Sequence, residues 1–430
     1  MWLERMKLSA KKALTGKILL WYKRKDIKKK GTDMRQDIWK IRQVKDLKEA
    51  ERRRLRSIGI EFSDFSDYYI LPGFTDVHVH LREPGFLYKE TIETGTGAAA
   101  AGGFTDIFSM PNLKPCSDSL RNLKVQTEAI KRRAIVRVHP YGALTRNEEG
   151  RELAAMEELA PYVIGFSDDG RGVMDDMLME KAMIKAKALK KVVAAHCEDE
   201  SFPRESSQAE CKQLERDLRL VRKTGCAYHM CHVSTKESLR LIREAKEEGL
   251  DVTCETAPHY LVFSSETIEK KGNFKMNPPI KGEEDRQALL EALRDGVIDM
   301  IGTDHAPHSR EEKEGAFEES AYGIVGLETA FPVLYTEMVL GGIISMERLM
   351  DLMYINPGKR FGLPVKSLEE ELKGGLPDFS LWDLDEEYTV DPERFISKGK
   401  SSPFEGRRVR GRCAATVSEG RPVWIREEIK

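Results

Sequence analysis

Short apolar runs alternate with segments of helical spacing from Tyr68 onward. Eight such runs are Tyr69–His80, Thr105–Pro111, Ile135–Leu144, Tyr162–Asp168, Val192–His196, Ala227–Val233, Val252–Ala257 and Val297–Asp304. Between them, apolar residues recur at helical spacing, for example in Met177–Leu189, Lys236–Lys246 and Arg286–Leu293. Strands that alternate with helices indicate a parallel sheet, and eight repeats predict an α/β protein built on a closed (β/α)8 TIM-like barrel.

The pattern changes after the eighth run. Two further helical stretches, Leu327–Val339 and Met346–Met353, precede a strand-like tail, Asp378–Trp424. We expect this tail to form part of a small β-sandwich, to which the N-terminal segment adds strands such as Gly16–Tyr22. The predicted organisation is an N-terminal segment at 1–67 that lies partly in the small β domain, a metal-dependent barrel at 68–365, and the C-terminal part of the small domain at 366–430.

The segment through Asp67 is rich in Lys and Arg, with runs at Lys28–Lys30 and Arg52–Arg54. Such runs can bind an acidic partner or RNA, or they can form the solvent-exposed face of a helix. Acidic residues interleave with the basic ones, and this favours the solvated face.

Total charge and cysteine content narrow the class of protein. A net charge of -2 gives no general attraction to nucleic acid or to anionic membranes, so we expect neither as a partner. The apolar run Ile18–Tyr22 is far shorter than the ~20 residues that span a bilayer. Seven dispersed cysteines, an odd number, are typical of reduced thiols in a cytoplasmic enzyme.

The positions of the histidines indicate where a candidate active site lies. Eight of the nine fall at the carboxyl end of a predicted strand or just after it, which is where active sites form in a (β/α)8 barrel. His78 and His80 are two apart on one strand, so both imidazoles point to the same side and suit a shared metal ion. A single strand histidine is usually structural; the His-x-His pair makes the metal interpretation stronger.

Other predicted strands end in further nitrogen and oxygen ligands. They are Asp168 or Asp169 in FSDDG, His196 in HCED, His232 in HVST and Asp304 in GTDHAPH. Histidines combined with two carboxylates fit Zn²⁺ or a related borderline ion.

The motifs HVHLREPG, MPN, FSDDG, HCED, HVST, MNPPIK and GTDHAPH occur in this order from about Leu71 onward. In that order and context they resemble the dihydroorotase family of the bacterial long-chain type, within the amidohydrolase superfamily. The resemblance implies reversible cyclisation of N-carbamoyl-L-aspartate to L-dihydroorotate in pyrimidine biosynthesis, with one or two Zn²⁺ ions per subunit. The N-terminal segment departs from the family pattern, since Gly16–Tyr22 is the one strand-like stretch that its sequence offers.

The resemblance also implies which residues hold the metals. One ion would take His78, His80, Asp168 and Asp304, and a second would share Asp168 and add His196 and His232. We favour Asp168 over Asp169 as the bridging ligand. Asp304 would be the acid/base, taking a proton from the attacking water and delivering it to the leaving nitrogen.

Substrate contacts follow from the same resemblance. Arg82, Asn112 and His308 would bind the substrate carboxylate, Asn277 would contact the ring amide, and Gly323 would offer its backbone. Arg82 can present a bidentate fork, although it could also pair with the adjacent Glu83. His229, His259 and His305 are either catalytic or packing residues, and His139 is interpreted as structural.

Two alternatives remain open. One is another cyclic amidohydrolase, such as a hydantoinase or allantoinase, in which a carboxylated lysine bridges the metals where this chain has FSDDG. The other is a non-catalytic scaffold for aspartate transcarbamoylase, which we would expect to have lost metal ligands. The resemblance further implies a homodimer, and it allows an association with aspartate transcarbamoylase.

Overall fold

The computed structural model describes residues 39–429. Within that range the strands are β1 (Arg42–Gln43), β2 (Tyr69–Pro72), β3 (Phe74–Val79), β4 (Phe104–Ser109), β5 (Arg137–Pro140), β6 (Gly142–Ala143), β7 (Gly165–Ser167), β8 (Val192–Ala195), β9 (Tyr228–Met230), β10 (Val252–Thr256), β11 (Met300–Ile301), β12 (Phe379–Thr389), β13 (Arg408–Ser418) and β14 (Arg421–Ile425).

The α-helices of the same range are α1 (Glu49–Ser57), α2 (Phe62–Phe65), α3 (Ile92–Ala101), α4 (Leu120–Arg133), α5 (Met156–Leu159), α6 (Asp176–Ala188), α7 (Ser207–Thr224), α8 (Lys236–Glu247), α9 (Pro258–Val262), α10 (Glu283–Asp295), α11 (Arg310–Lys313), α12 (Ala330–Leu334), α13 (Met346–Met350), α14 (Asn356–Phe361) and α15 (Leu368–Lys373). π-Helical turns extend α12 to Leu340 and α13 to Ile355. None of these helices combines the length and the apolar character that a membrane span requires.

Strands β3–β11 are all parallel, which confirms the predicted α/β class. They form a three-stranded sheet, β3-β4-β5, and a six-stranded sheet, β11-β10-β9-β8-β7-β6. Only Tyr141 separates β5 from β6, so the predicted run Ile135–Leu144 is one strand broken at a single residue. At the other side, the His80 amide donates to the His305 carbonyl at 2.8 Å, which places the chain after β11 beside the end of β3. We call β3–β11 the parallel layer.

The interior of the parallel layer is one apolar cluster. Its members come from six of the strands or from the residues just beside them: Val77, Phe108, Met110, Tyr141, Ala194, Cys231 and Met300. Helices cover the outside, and their ends carry the expected signals. Thr235 caps α8 by accepting from the Ser238 amide, and Gly225 ends α7 at φ +65°, a left-handed conformation that glycine adopts without strain.

The predicted first strand, Tyr69–His80, serves two sheets. Its first part is β2, which pairs antiparallel with β12, and its second part is β3 of the parallel layer. Gly73 lies between them, and a Cβ there would approach the Thr105 side chain to 2.3 Å. Both halves are largely buried, so the apolar pattern alone does not reveal the switch.

The remaining strands form a five-stranded antiparallel sheet in the order β1-β2-β12-β13-β14. Both ends of the described chain therefore contribute strands to this sheet. Among residues 39–429 this is a single sheet, and the predicted strand Gly16–Tyr22 lies outside the described residues. The β-sandwich stays a prediction. The segment between β12 and β13 leaves the sheet and contacts the chain that follows β11, where the Val325 amide donates to the Ser401 carbonyl at 2.9 Å.

Candidate metal centre

His78 and His80 lie at the carboxyl end of β3, with their side chains on the same side of the strand, and both are buried. Their Nε2 atoms approach Oδ1 of Asp304 at 3.5 and 3.1 Å. Asp304 follows β11 and has φ +48°, a left-handed conformation that is costly for a residue with a Cβ. The three side chains form the first of the groups that could hold a metal ion.

His196 and His232 follow β8 and β9 and form a second group with Asp169. Nδ1 of His196 lies 2.9 Å from Nε2 of His232. His232 is also left-handed, at φ +34°. The loop after it is fixed by buried Glu210, whose carboxylate accepts from the Ser234 and Thr235 amides at 3.1 Å.

Asp169 lies between the two groups. Its Oδ1 is 3.3 Å from Nε2 of His78, 3.9 Å from Nδ1 of His196 and 3.7 Å from Nε2 of His232. Its Oδ2 is 3.4 Å from Nε2 of His80. Burial opposes ionisation of Asp169, but the surrounding histidines outweigh it and hold its pKa well below the usual range.

The prediction that Asp168 bridges the two groups is wrong, because its carboxylate is used elsewhere. It accepts from the Leu144 and Thr145 amides at 2.8 and 3.0 Å and from the Thr145 hydroxyl. Asp168 thus ties the end of β7 to the loop after β6. The bridging position belongs to Asp169.

The donor set fits a divalent metal. Nε2 of His78 and Oδ1 of Asp169 are buried and have no hydrogen-bond partner among residues 39–429. Buried polar atoms without a partner cost about 1–3 kcal/mol each, a cost that a bound cation removes. Imidazole and carboxylate donors are those that Zn²⁺ prefers. Cys231 also lies within reach of His78 and Asp169, and burial raises the pKa of its thiol to about 12, which disfavours the thiolate.

Arg82 and His308 lie side by side next to the metal groups. Arg82 is a third left-handed residue, at φ +58°, and its Nε donates to the Pro307 carbonyl at 3.2 Å. Nε2–H of His308 donates to the Tyr322 carbonyl at 2.8 Å. Burial, together with the charges of Arg82 and Lys89, lowers the pKa of His308 to about 3, so its ring is neutral.

The two predicted asparagines contact metal-facing histidines. Oδ1 of Asn112 accepts from Nδ1–H of His80 at 3.0 Å, which leaves Nε2 of His80 free to bind a metal. Nδ2 of Asn277 donates to Oε2 of Glu198 at 2.7 Å, and the same oxygen accepts from Nε2–H of His196 at 2.9 Å. Both asparagines are partly exposed, so they can also contact a substrate.

Gly323 lies against His308 in a conformation that requires glycine. Its φ is +135°, and a Cβ would lie 2.5 Å from the Ala306 carbonyl oxygen and 3.1 Å from Cδ2 of His308. The Gly323 backbone therefore approaches the His308 ring closely.

The sequence interpretation missed two glutamates. Glu255, in β10, lies 2.7 Å from Nδ1 of His78, and Glu198 contacts His196. A charged residue within the apolar run Val252–Ala257 was the available signal, because buried charges are rare unless they are paired.

The histidines that were left open do not reach the metal groups. His229 contacts Glu255, and His305 lies 3.5 Å from Glu90. His259 is fully buried, and burial lowers its pKa to about 4, which keeps its ring neutral. His139 lies at a separate cluster with Asp106, as expected for a structural residue.

Comparison with known proteins connects this geometry to a family. Residues 68–211 match the family described as dihydro-orotase-like. A dihydroorotase of Fusobacterium nucleatum is 45% identical over 383 residues, which cover 85% of this chain and 89% of the relative. A dihydroorotase of Listeria monocytogenes is 46% identical over 391 residues, covering 86% and 91%. The chain belongs to the dihydroorotase family.

Solved structures of other cyclic-amide hydrolases resemble this member of the dihydroorotase family in fold. An L-hydantoinase (dihydropyrimidinase) from Arthrobacter aurescens aligns with a TM-score of 0.73 at 27% identity, covering 83% of this chain and 85% of the other. A dihydropyrimidinase from Brevibacillus agri aligns with a TM-score of 0.72 at 25% identity, covering 83% and 84%.

Proposed function

We propose that the chain is a zinc-dependent dihydroorotase that interconverts N-carbamoyl-L-aspartate and L-dihydroorotate plus water. The observation that carries the proposal is the position of Asp169 between His78, His80, His196 and His232, with Asp304 beside the first pair. Relatives of 45% and 46% identity that bear the name dihydroorotase support this substrate over other cyclic amides.

The proposal includes a closed (β/α)8 barrel with its mouth at the metal centre. The apolar cluster inside the parallel layer and the hydrogen bond from His80 to His305 support closure. The mouth is then the carboxyl end of the strands, where such barrels hold their active sites. In this proposal the barrel begins at β3 rather than at residue 68, because β2 pairs with β12, and the small β domain takes β1, β2 and residues 366–430.

A divalent ion at this centre supplies Lewis-acid polarisation of the ring amide and lowers the pKa of a nearby water. His78, His80, Asp169 and Asp304 would hold one ion, and Asp169, His196 and His232 a second. These are six residues in all, because Asp169 would be shared by both ions.

The other residues bind the substrate and move its proton. Arg82, with five N–H donors in a planar fork, holds the carboxylate of dihydroorotate, aided by Asn112 and by His308 once its Nε2–H leaves the Tyr322 carbonyl. Asn277 and the Gly323 backbone contact the ring amide. In hydrolysis the water oxygen bonds to the ring carbonyl carbon and the C–N bond breaks. Asp304 accepts the proton from that water and delivers it to the leaving nitrogen; ring closure reverses these steps.

The test is metal analysis of the purified protein together with turnover of L-dihydroorotate, hydantoin and allantoin. We expect one or two zinc ions per chain and hydrolysis of dihydroorotate well above that of the other two substrates. Active protein without any divalent metal would refute the metal centre. Preference for hydantoin or allantoin would assign another cyclic amidohydrolase, and zinc-loaded protein that turns over none of the three would favour a scaffold.

The seven cysteines are free thiols, which supports a reducing compartment such as the cytoplasm. A homodimer and an association with aspartate transcarbamoylase stay predictions.

A further inference from the structure

Glu255 is a fully enclosed carboxylate on β10, a strand that supplies no member of the metal-binding groups found among residues 39–429. Its side chain is 1% exposed. Enclosing an ionised carboxylate costs several kcal/mol unless it is paired and hydrogen-bonded. Its partners therefore indicate its role.

Two imidazoles meet this carboxylate from opposite sides. Oε1 lies 2.7 Å from Nδ1 of His78, and Oε2 lies 3.2 Å from Nε2 of His229. Because an ionised carboxylate only accepts, Nε2 of His229 carries the proton that it donates to Glu255, and Nδ1 of the same ring accepts from the Thr253 hydroxyl at 2.9 Å.

The surrounding backbone leaves space for this carboxylate and for little else. A Cβ on Gly302 would lie 2.7 Å from Cδ and Oε2 of Glu255. The amide of His232 also faces Oε1, at 3.4 Å. Glu255 is thus held between the strands that carry His78, His232 and the chain leading to Asp304.

We propose that Glu255 is a positioning residue that fixes the ring of His78 with Nδ1 protonated and the Nε2 lone pair directed at the metal centre. This inference rests on the proposed function, because it assumes that a metal binds there. A carboxylate that accepts from the far nitrogen of a metal-binding imidazole sets its tautomer and orientation and makes it a stronger ligand. Asn112 makes the corresponding contact to His80 with a neutral oxygen.

A carboxylate is needed here because both of its oxygens must accept. Glutamine has one acceptor oxygen and one NH2 group, so Glu255→Gln sets an N–H donor against the N–H of either His78 or His229. The amide is otherwise close in size to the carboxylate. Glu255→Asp keeps the charge but withdraws it from His78 by one methylene.

The experiment measures zinc affinity of chelator-stripped protein by competition with a chromophoric chelator. Glu255→Gln should bind zinc about 10–100-fold more weakly than the wild type, and Glu255→Asp should lose affinity less. The cobalt(II)-loaded Glu255→Gln protein should also show a changed visible spectrum, which a loss of stability alone would not produce.

Asp217→Asn is the matched control. Asp217 is equally buried, and it accepts from the Tyr228 hydroxyl at 2.8 Å and from Arg216 at 2.7 Å. Within residues 39–429 it belongs to none of the metal-binding groups. We expect this variant to lose thermal stability and to keep zinc affinity within about twofold of the wild type.

The outcomes separate the two proposals. Wild-type protein that binds no zinc refutes the proposed metal centre. If Glu255→Gln matches the wild type in zinc affinity and in its cobalt spectrum, the role of Glu255 is overturned and the metal centre is not. Glu255→Asp takes its place in this comparison if Glu255→Gln does not fold. Equal losses of zinc affinity in Asp217→Asn and Glu255→Gln would also overturn the role of Glu255.

Discussion

Two clusters of histidine and carboxylate side chains lie on neighbouring strands of the parallel layer. One is the candidate metal centre at the carboxyl end of β3. The other is built from Asp106 on β4, Arg137 and His139 on β5, and Asp378 just before β12. It borders a cavity of about 300 Å³ that is also lined by Thr75, near the start of β3.

The two clusters differ in how completely their side chains are hydrogen-bonded to one another. At the second one, Asp106 accepts from His139 at 2.8 Å and from Arg137 at 2.8 and 2.6 Å, and Arg137 also donates to Asp378 at 2.9 Å. Burial opposes ionisation of Asp106, but these partners lower its pKa to about 2. At the metal centre, by contrast, Nε2 of His78 and Oδ1 of Asp169 have no hydrogen-bond partner among the described residues.

Residue type alone therefore does not distinguish a binding site from a structural ion pair. A cluster whose donors and acceptors satisfy each other stabilises the fold, whereas a cluster that leaves buried nitrogen and oxygen atoms without a hydrogen bond is a candidate ligand site. The predictions below test this contrast.

The largest loss of activity is expected from substitution of one of two adjacent aspartates. Asp169→Asn removes the bridging carboxylate and should lower kcat/KM for dihydroorotate by at least about a thousandfold, roughly 4 kcal/mol, with loss of zinc. Asp168→Asn should keep its zinc, because Asp168 contacts Thr145 and Leu144 instead. Steady-state kinetics and elemental analysis of both variants check this; equal loss of zinc in the two would return the bridging role to Asp168.

Arg82→Met tests recognition of the substrate at the metal centre. Loss of a charge-assisted bidentate contact should lower kcat/KM by about 10–150-fold, which corresponds to about 1.5–3 kcal/mol. Zinc content should not change, because the guanidinium contacts His308 and Pro307 rather than the metal groups. Unchanged kinetics on dihydroorotate would exclude Arg82 from the site.

Asp106→Asn tests whether the second cluster stabilises the fold and takes no part in zinc binding or turnover. It should lower the free energy of unfolding by about 2–3 kcal/mol, since Arg137 and His139 lose their shared acceptor in a partly buried place. Zinc affinity and kcat should stay at wild-type values. Denaturant unfolding and the activity assay measure the two quantities, and a variant as stable as the wild type would contradict the structural role.

The smallest expected effect is a dependence of stability on pH. The pKa of Asp106 is about 2 in the folded protein, below its ordinary value of about 3.9. Its stabilisation is complete above pH 4 and is lost as the pH falls through about 2, a change on the order of 2 kcal/mol. Between pH 5 and pH 2, the free energy of unfolding should therefore fall more steeply for the wild type than for Asp106→Asn. Parallel profiles would show that Asp106 does not contribute.

The α/β class, the histidine pair and Asp304 could be predicted because each rests on a local pattern: alternation of apolar runs, the two-residue period of a strand, and position at a strand end. The choice between Asp168 and Asp169 could not. β7 ends at Ser167, so the strand period does not extend to either aspartate, and the Thr145 loop that binds Asp168 is distant in sequence.

Glu255 and the division of Tyr69–His80 between two sheets were missed for a related reason. Both depend on what lies across the fold: His78 and His229 for the carboxylate, and β12 for the first half of the run. Apolar periodicity reports that a position is buried, not which element buries it.

Arg82, His232 and Asp304 all have left-handed backbone conformations, in which a residue with a side chain costs roughly 1–2 kcal/mol more than glycine. A selection for heat resistance alone would therefore reward glycine at each of these positions and remove a functional side chain with each gain. Thermostable variants of this protein should be sought under simultaneous selection for turnover. Conversely, positions where glycine raises the melting temperature and abolishes activity would locate the site without any knowledge of its ligands.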